Sequence, residues 1–407
     1  ERLAYALFTP QMRAAIFNIW MNRDYKLYAE ITNSPNLTLE NWQPAERFRF
    51  YVRKDIAAQI WNYGVQPASV TPGKEDPYEQ GLLRVAPDKT FGQSGNQPGQ
   101  YNAPRGIAVA ADGTLYVADS RNHRIQHVTV EGKVLHMWGS FANILKRPAP
   151  EGTFNEPWGV AVSPVDGSVF VADTFNFRIQ HFTADGKFIQ MWGYAGQAEK
   201  PDAFWGPRGI VVDKTGKVYV TDTGNKRVAV FNSDGTPVAS FGSLGMENGQ
   251  FDEPVGLALD AQNNVYVADT WNQRVQVFTG DASGIAYLAI RTWDVKAWFG
   301  QSIDNKPFLA IGASGTVLIT DPEAGRVLEF NQDGSFVRGW SDLIGDPLGM
   351  GMPTGIALSK DGLMWISDAS NGRIMAFNLA LQPVLPGGGQ LIGPQAASPS
   401  PTDASLK

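Results

Sequence analysis

The strongest constraint on this chain is a phrase that it repeats. Val117-Ala118-Asp119-Ser120-Arg121-Asn122-His123-Arg124-Ile125-Gln126 returns as Val171-Ala172-Asp173-Thr174-Phe175-Asn176-Phe177-Arg178-Ile179-Gln180. Shorter versions stand at 221–228 and 268–275, and looser ones at 320–327 and 367–374. In every copy an Arg follows an Asp at the fifth position: Asp119 and Arg124, Asp173 and Arg178, Asp222 and Arg227, Asp269 and Arg274, Asp321 and Arg326, Asp368 and Arg373. A period of about 50 residues signals a propeller or an array.

Each copy carries its own strand signals. An apolar, β-branched run such as Val265-Tyr266-Val267-Ala268 precedes the Asp, and another such as Val275-Gln276-Val277-Phe278 follows the Arg. The Asp-Thr-x-Asn-x between them is a tight turn, because Asp and Asn side chains can bond nearby backbone there. A shorter strand opens each copy with Pro-x-Gly at 104, 157, 207, 254 and 353, whereas the fifth copy reads Pro307-Phe308-Leu309. Gly at that place lets neighbouring backbones crowd around an axis. A fourth strand ends in Trp192-Gly193 or Phe241-Gly242. Four strands per copy make a propeller blade.

The combination resembles the NHL repeat: a Pro-x-Gly strand, an Asp-Gly turn, then Val-Ala-Asp-Thr-x-Asn-x-Arg-(Ile/Val)-Gln-x-Phe. The first four copies match closely; the fifth has Ala324 at the Asn place and the sixth Ala369 at the Thr place. The resemblance covers roughly Leu82 to Pro386 and implies a mainly β fold, a six-bladed propeller with four-stranded blades. Closure of the ring falls to Gly81–Gly92, whose Phe91-Gly92 sits where Phe241-Gly242 sits in its copy; Phe377–Leu385 is the other candidate. Closure removes an exposed sheet edge.

Four segments follow: a small α+β domain over 1–65, a linker over 66–80, the propeller over 81–386 and a Gly/Pro/Ser-rich tail over 387–407. In the first, helices are expected from Pro10 to Trp20 and from Asp55 to Tyr63, and strands at Tyr25–Ile31 and Arg47–Arg53. The tail packs on its own propeller or docks on a neighbouring copy, which would give a homo-oligomer or filament. The stretch Trp42–Asp55 resembles the soluble C-terminal part of bacterial membrane glycosyltransferases that use lipid-phosphate sugars, some of which carry a propeller. That resemblance implies a membrane link only through an upstream part, and a catalytic centre outside this sequence.

Charge narrows the partners. Charged residues are 18% of the chain, against a usual share of about 25%. The net charge is −6 and no Lys/Arg block stands out, which argues against nucleic acid as partner. Cysteine is absent, which fits an exported protein that never relied on disulfides, or one from a hot habitat. An extracytoplasmic place, at the cell surface or secreted, is therefore expected. No cofactor motif is present.

Recurrence decides how the Asp/Arg pairs are read. A feature present in every blade builds the ring; it is not a catalytic device. His123, His127, His136 and His181 are read as partly exposed strand residues off the axis. Some propellers of the NHL type are lyases with histidines converging on a metal, so a lyase or hydrolase is the weaker alternative. The positions that vary are the better site. The residue after each opening Pro and the third residue of each Asp turn should ring one mouth of the channel. They give Arg105, Trp158 and Arg208 from the first set, and Arg121, Phe175 and Trp271 from the second. Aromatics with Arg suit a protein or glycan ligand. The expected function is a non-catalytic binding or assembly scaffold, with a glycosyltransferase accessory part as the alternative.

Overall fold

The computed structural model describes residues 42–44, 51–53, 76–142, 149–298, 306–343, 346 and 348–380. Both helices and the first strand expected in the N-terminal piece, and the tail from 387, lie outside these residues. Within that piece Trp42–Pro44 pairs antiparallel with Tyr51–Arg53.

Each copy of the phrase folds into an antiparallel sheet whose strands follow one another from the inside out, four in blades 1 to 5 and three in blade 6. Blade 1 runs through Pro104–Val109, Leu115–Asp119, Arg124–Val128 and Val134–Trp138. Blades 2 to 6 open with Pro157–Val162, Pro207–Val212, Pro254–Leu259, Leu309–Ile311 and Pro353–Leu358. The chain is a six-bladed β-propeller. Both faces of each sheet are covered by neighbouring blades, so the second strands are mostly apolar up to the Asp that ends them; all of Val169–Asp173 is buried. The core lies between the blades. Phe170, Ala172 and Ile179 of blade 2, for example, pack with Ile210, Val218 and Val220 of blade 3.

Glycine sets the spacing at the axis. A Cβ added to Gly106 would overlap the Trp158 carbonyl oxygen of blade 2, and one on Gly355 of blade 6 would overlap the Arg105 carbonyl oxygen of blade 1. The last blade thus meets the first as closely as consecutive blades meet. Hydroxyls reinforce the seams: Ser120 donates to Pro157 O, Thr174 to Pro207 O, Thr223 to Pro254 O and Thr354 to Pro104 O.

The N-terminal segment closes the wheel, and its two strands go to different blades. Lys89–Phe91 pairs antiparallel with Arg373–Asn378 as the fourth strand of blade 6. Leu82–Val85 lies parallel on the outer strand of blade 5, Phe336–Leu343, making a five-stranded sheet. Part of the stretch read as linker is built into blade 5 as well. Tyr78 is buried against Phe330 and Phe336, Lys296 N–H donates to its hydroxyl, and Asp76 pairs with Arg326.

The histidines correct the sequence reading. His127 and His181 are strand residues but buried, stacked on Tyr116 and Phe170 at 4.0 and 3.9 Å. His123 is not on a strand at all; it ends the Asp turn. Burial holds the His181 imidazole below its usual pKa, and neither ring nitrogen has a hydrogen-bond partner. The unfolded chain binds a proton there more readily, so this stabilising contribution is complete above about pH 6.5 and is lost as pH falls below it. His181→Leu is expected to flatten the decline of the unfolding midpoint from neutral pH to mild acid. Parallel pH profiles for variant and wild type would contradict this.

Candidate functional site

The repeated Asp and Arg are scaffold, and their geometry shows how. Asp119 accepts from Arg124 Nε at 2.7 Å, from the Asn102 backbone N–H at 2.7 Å and from the Asn122 and Gln126 side chains. Arg124 spends its other nitrogens on the carbonyls of Asn96, Gln97 and Gln100. The pair therefore fastens the loop that leads into its own blade, and all six copies have an Asp–Arg Nε contact of 2.7–3.0 Å. Burial pushes the Asp173 and Asp269 carboxyls up to about 6 against the pull of Arg178 and Arg274. Such groups belong to a built wall and stay ionised at neutral pH.

Strand direction then decides what one face displays. Pro104 lies opposite Asp119, and Asp119 opposite Arg124, so the turn after the Asp and the loop before the Pro share one end of the blade. Two backbone positions there are left-handed. One closes the Asp turn: His123, Phe177, Lys226 and Gln273 have φ of 54° to 57°. The other precedes the Pro: Ala103, Glu156 and Glu253 have φ of 48° to 55°. Non-glycine residues rarely hold such angles, and the surrounding structure must impose them. Both sets stand at the end of the blade where the Asp turn and the loop before the Pro meet.

Of the predicted residues, the structure brings three into direct contact. Trp158 lies between two guanidinium groups, Arg105 at 3.7 Å from its ring centroid and Arg208 at 4.7 Å. Contrary to expectation these three do not form an open rim. All are buried, as are Val255, Phe308 and Thr354 at the same place in their blades. Trp271 is half-buried and its ring faces two ammonium groups, Lys306 at 5.0 Å and Lys226 at 5.6 Å. Arg121 is exposed and Phe175 half-buried on the same face.

The hub of the charged side is a residue that the sequence reading missed. Glu253 receives Lys226 at 2.6 Å and Arg208 at 3.3 Å from blade 3, and Lys306 at 3.6 Å from blade 5. Lys226 also lies 3.6 Å from Asp252. Burial would raise the Glu253 carboxyl, but Lys226, Lys306 and Arg208 outweigh it and hold it at about 2. Lys306 is 1% exposed; burial pushes it down to about 7, with Arg208 and Lys226 repelling and Glu253 opposing the shift. The signal was present: Glu253 and Lys306 both stand immediately before a Pro, at the place Ala103 and Glu156 take in other blades.

The neighbouring arc, at the junctions of blades 1, 2 and 3, is aromatic and more open. Phe141 is 59% exposed and packs on His123 at 4.7 Å; Trp205 is 37% exposed and stacks on Phe177 at 5.4 Å. Each pair joins the turn of one blade to the loop entering the next. Gly224 stands where Arg121 and Phe175 stand in blades 1 and 2, because any Cβ there would overlap Trp205. Among the described residues no group of three or more His, Cys, Asp or Glu is placed to hold a metal ion.

A sequence profile of the NHL repeat matches residues 101–128, 154–182, 204–231 and 251–278, each running from the loop before Pro-x-Gly to the end of the third strand. Four of the six blades are NHL repeats. Other proteins align with part of this chain. Mouse peptidyl-glycine alpha-amidating monooxygenase is 29% identical over 140 residues, 33% of this chain and 14% of that protein. Protein brain tumor of Drosophila melanogaster is 32% identical over 127 residues, 31% of this chain and 11% of its own length. Human NHL repeat-containing protein 2 is 35% identical over 80 residues, 19% and 11% respectively. This chain thus matches only a small share of each. A streptogramin B lyase structure superposes with a TM-score of 0.48 at 15% identity, covering 71% of this chain and 96% of that one. The resemblance of Trp42–Asp55 to glycosyltransferases is not borne out.

Proposed function

We propose that this NHL propeller is a non-catalytic binding scaffold, acting outside the cytoplasm at the cell surface, which receives its ligand on the face just described. The observation that carries the reading is the split of that face. Phe141 and Trp205 stay exposed in stacked pairs on one arc, while a buried cationic cluster centred on Glu253 occupies the other. Exposed aromatics beside charge suit protein recognition, in which a few such side chains carry most of the energy. A sequence with no cysteine suits oxidising surroundings. Assembly of copies through the segment after Pro386 belongs to the same reading.

The test is a quantitative pull-down from the extracytoplasmic fraction with the whole chain as bait. Replacing Arg121 by Glu and both Phe141 and Trp205 by Ser is expected to lower recovery of specific partners roughly tenfold or more, since central aromatics are worth about 2 kcal/mol each. Equal recovery by both baits would remove this face from the account.

A further inference from the structure

Blade 5 differs from its five neighbours in what its scaffold Arg holds. In each of the others the outer nitrogens of that Arg reach the loop entering the same blade. Arg274, for example, donates to the carbonyls of Met246, Glu247 and Gln250, and Arg373 to Asp346 and the Gly349 carbonyl. Among the described residues Arg326 pairs instead with Asp76, and its guanidinium lies 5.4 Å from the Tyr78 ring centroid. Blade 5 has four strands of its own, so Leu82–Val85 is surplus to the blade, yet it is seated like core. Tyr78 and Leu83 are buried. Leu82 packs into the core between blades 4 and 5, and Leu83 and Val85 into the core that joins blades 5 and 6. Residues 76–85 are thus an arm, and blade 5 with its two seams is a socket shaped for it.

The link after the arm bears on which copy supplies it. Leu82–Val85 runs toward the Asp-turn end of blade 5, where Val85 stands beside Leu343. The next strand begins with Lys89 beside Ala376, inside blade 6 from the Arg373 that marks the same end. Only Ala86, Pro87 and Asp88 are left for the return. Asp88 is itself fixed on blade 6, since its N–H donates to Ala376 O and its carboxylate accepts from the Asn378 N–H. A residue spans at most about 3.3–3.6 Å, and Pro87 holds Ala86 extended, so the link has little slack. The same socket on a second copy offers the arm the same contacts, and exchange alters only the link. Short connections of this kind favour exchange.

We propose that the socket on blade 5 takes the arm of a second copy of this chain, so that two copies exchange residues 76–85 and form a two-fold dimer. This is independent of the binding face and of the tail. The whole chain is concentrated, diluted and followed by size-exclusion chromatography with light scattering. A dimer is expected whose share rises with concentration and which outlives dilution, because each arm must leave its socket before the copies part. Inserting about six Gly/Ser residues between Ala86 and Pro87 supplies slack without touching arm or socket. That variant should lose the dimer and keep the unfolding midpoint of the parent, which shows that its arm is still seated. Deleting Ala86 should act in the opposite direction and raise the dimer's share. A chain that ends at Pro386 should dimerise as the parent does. A parent that is monomeric at every concentration overturns the proposal, and so does a dimer indifferent to the length of the link. Loss of the dimer on removal of the tail would overturn it in favour of assembly through that segment.

Discussion

Glu253→Ala is expected to lower folding stability by about 3–5 kcal/mol, the range for removing one partner of a buried ion pair, and the unfolding midpoint by roughly 10 °C. The carboxylate receives two cations from blade 3 and one from blade 5, so its loss removes the one acceptor that all three share. Glu and Ala bear the same strain at a φ of 55°, so the difference between them reports charge and not backbone. A second substitution sharpens the case. Lys306→Met removes one of the stranded charges and should restore part of what Glu253→Ala loses. Strictly additive effects would show that these residues do not act as one network. The acid dependence has a definite sign. The folded carboxyl sits at about 2, below the unfolded value of about 4.3, so its contribution is complete above that value and lost as pH falls toward 2. Wild type and variant should therefore converge in that interval.

The ring was legible because it is built from local signals recited six times. An Asp, an Arg five residues on, and a Gly two after a Pro each have one structural task, and repetition showed that the task is architectural. The face was only half legible, because exposure is a property of the assembled wheel. Trp158 sits at a variable position, as a ligand-contacting residue would, yet the approach of blades 1 and 3 brings a guanidinium onto its ring from each. Glu253 and Lys306 were overlooked because neither falls in the repeated phrase, and only the closing of blades 3, 4 and 5 brings their charges together. Phe141 lies past the Trp138-Gly139 that ends its blade, where no position was read. Trp205 stands two before Pro207, the place of Asn102, Asn155 and Asp252 in other blades, and was overlooked because only the residue after the Pro was read. A search for charged or aromatic residues just before each Pro, or just before each Arg, would have found Glu253, Lys306, His123, Phe177 and Lys226.

A chain that starts at Gln93 is expected to lose the wheel as a monomer. That truncation removes Lys89–Phe91, the fourth strand of blade 6, and Leu82–Val85, the fifth strand of blade 5, together with buried Leu83 and Tyr78. Each such side chain contributes about 1.5–3 kcal/mol through burial, and the lost strand pairing adds to this. Phe91 also covers Gly132 and packs 6.2 Å from Trp365, so the seam between blades 6 and 1 loosens with it. The consequence is a gain as well as a loss. Ile374, Met375 and Ala376, which pair with the departing strand, become a free apolar edge, and such edges recruit other chains. Light scattering on the eluted protein should show oligomers or aggregates, with a melt that is broad and early. A truncated chain that stays monomeric with the parent's midpoint would mean that the inner glycine and hydroxyl seams, Gly355 against Arg105 and Thr354 on Pro104, suffice to hold the ring shut. The outer strands would then be free to serve another purpose.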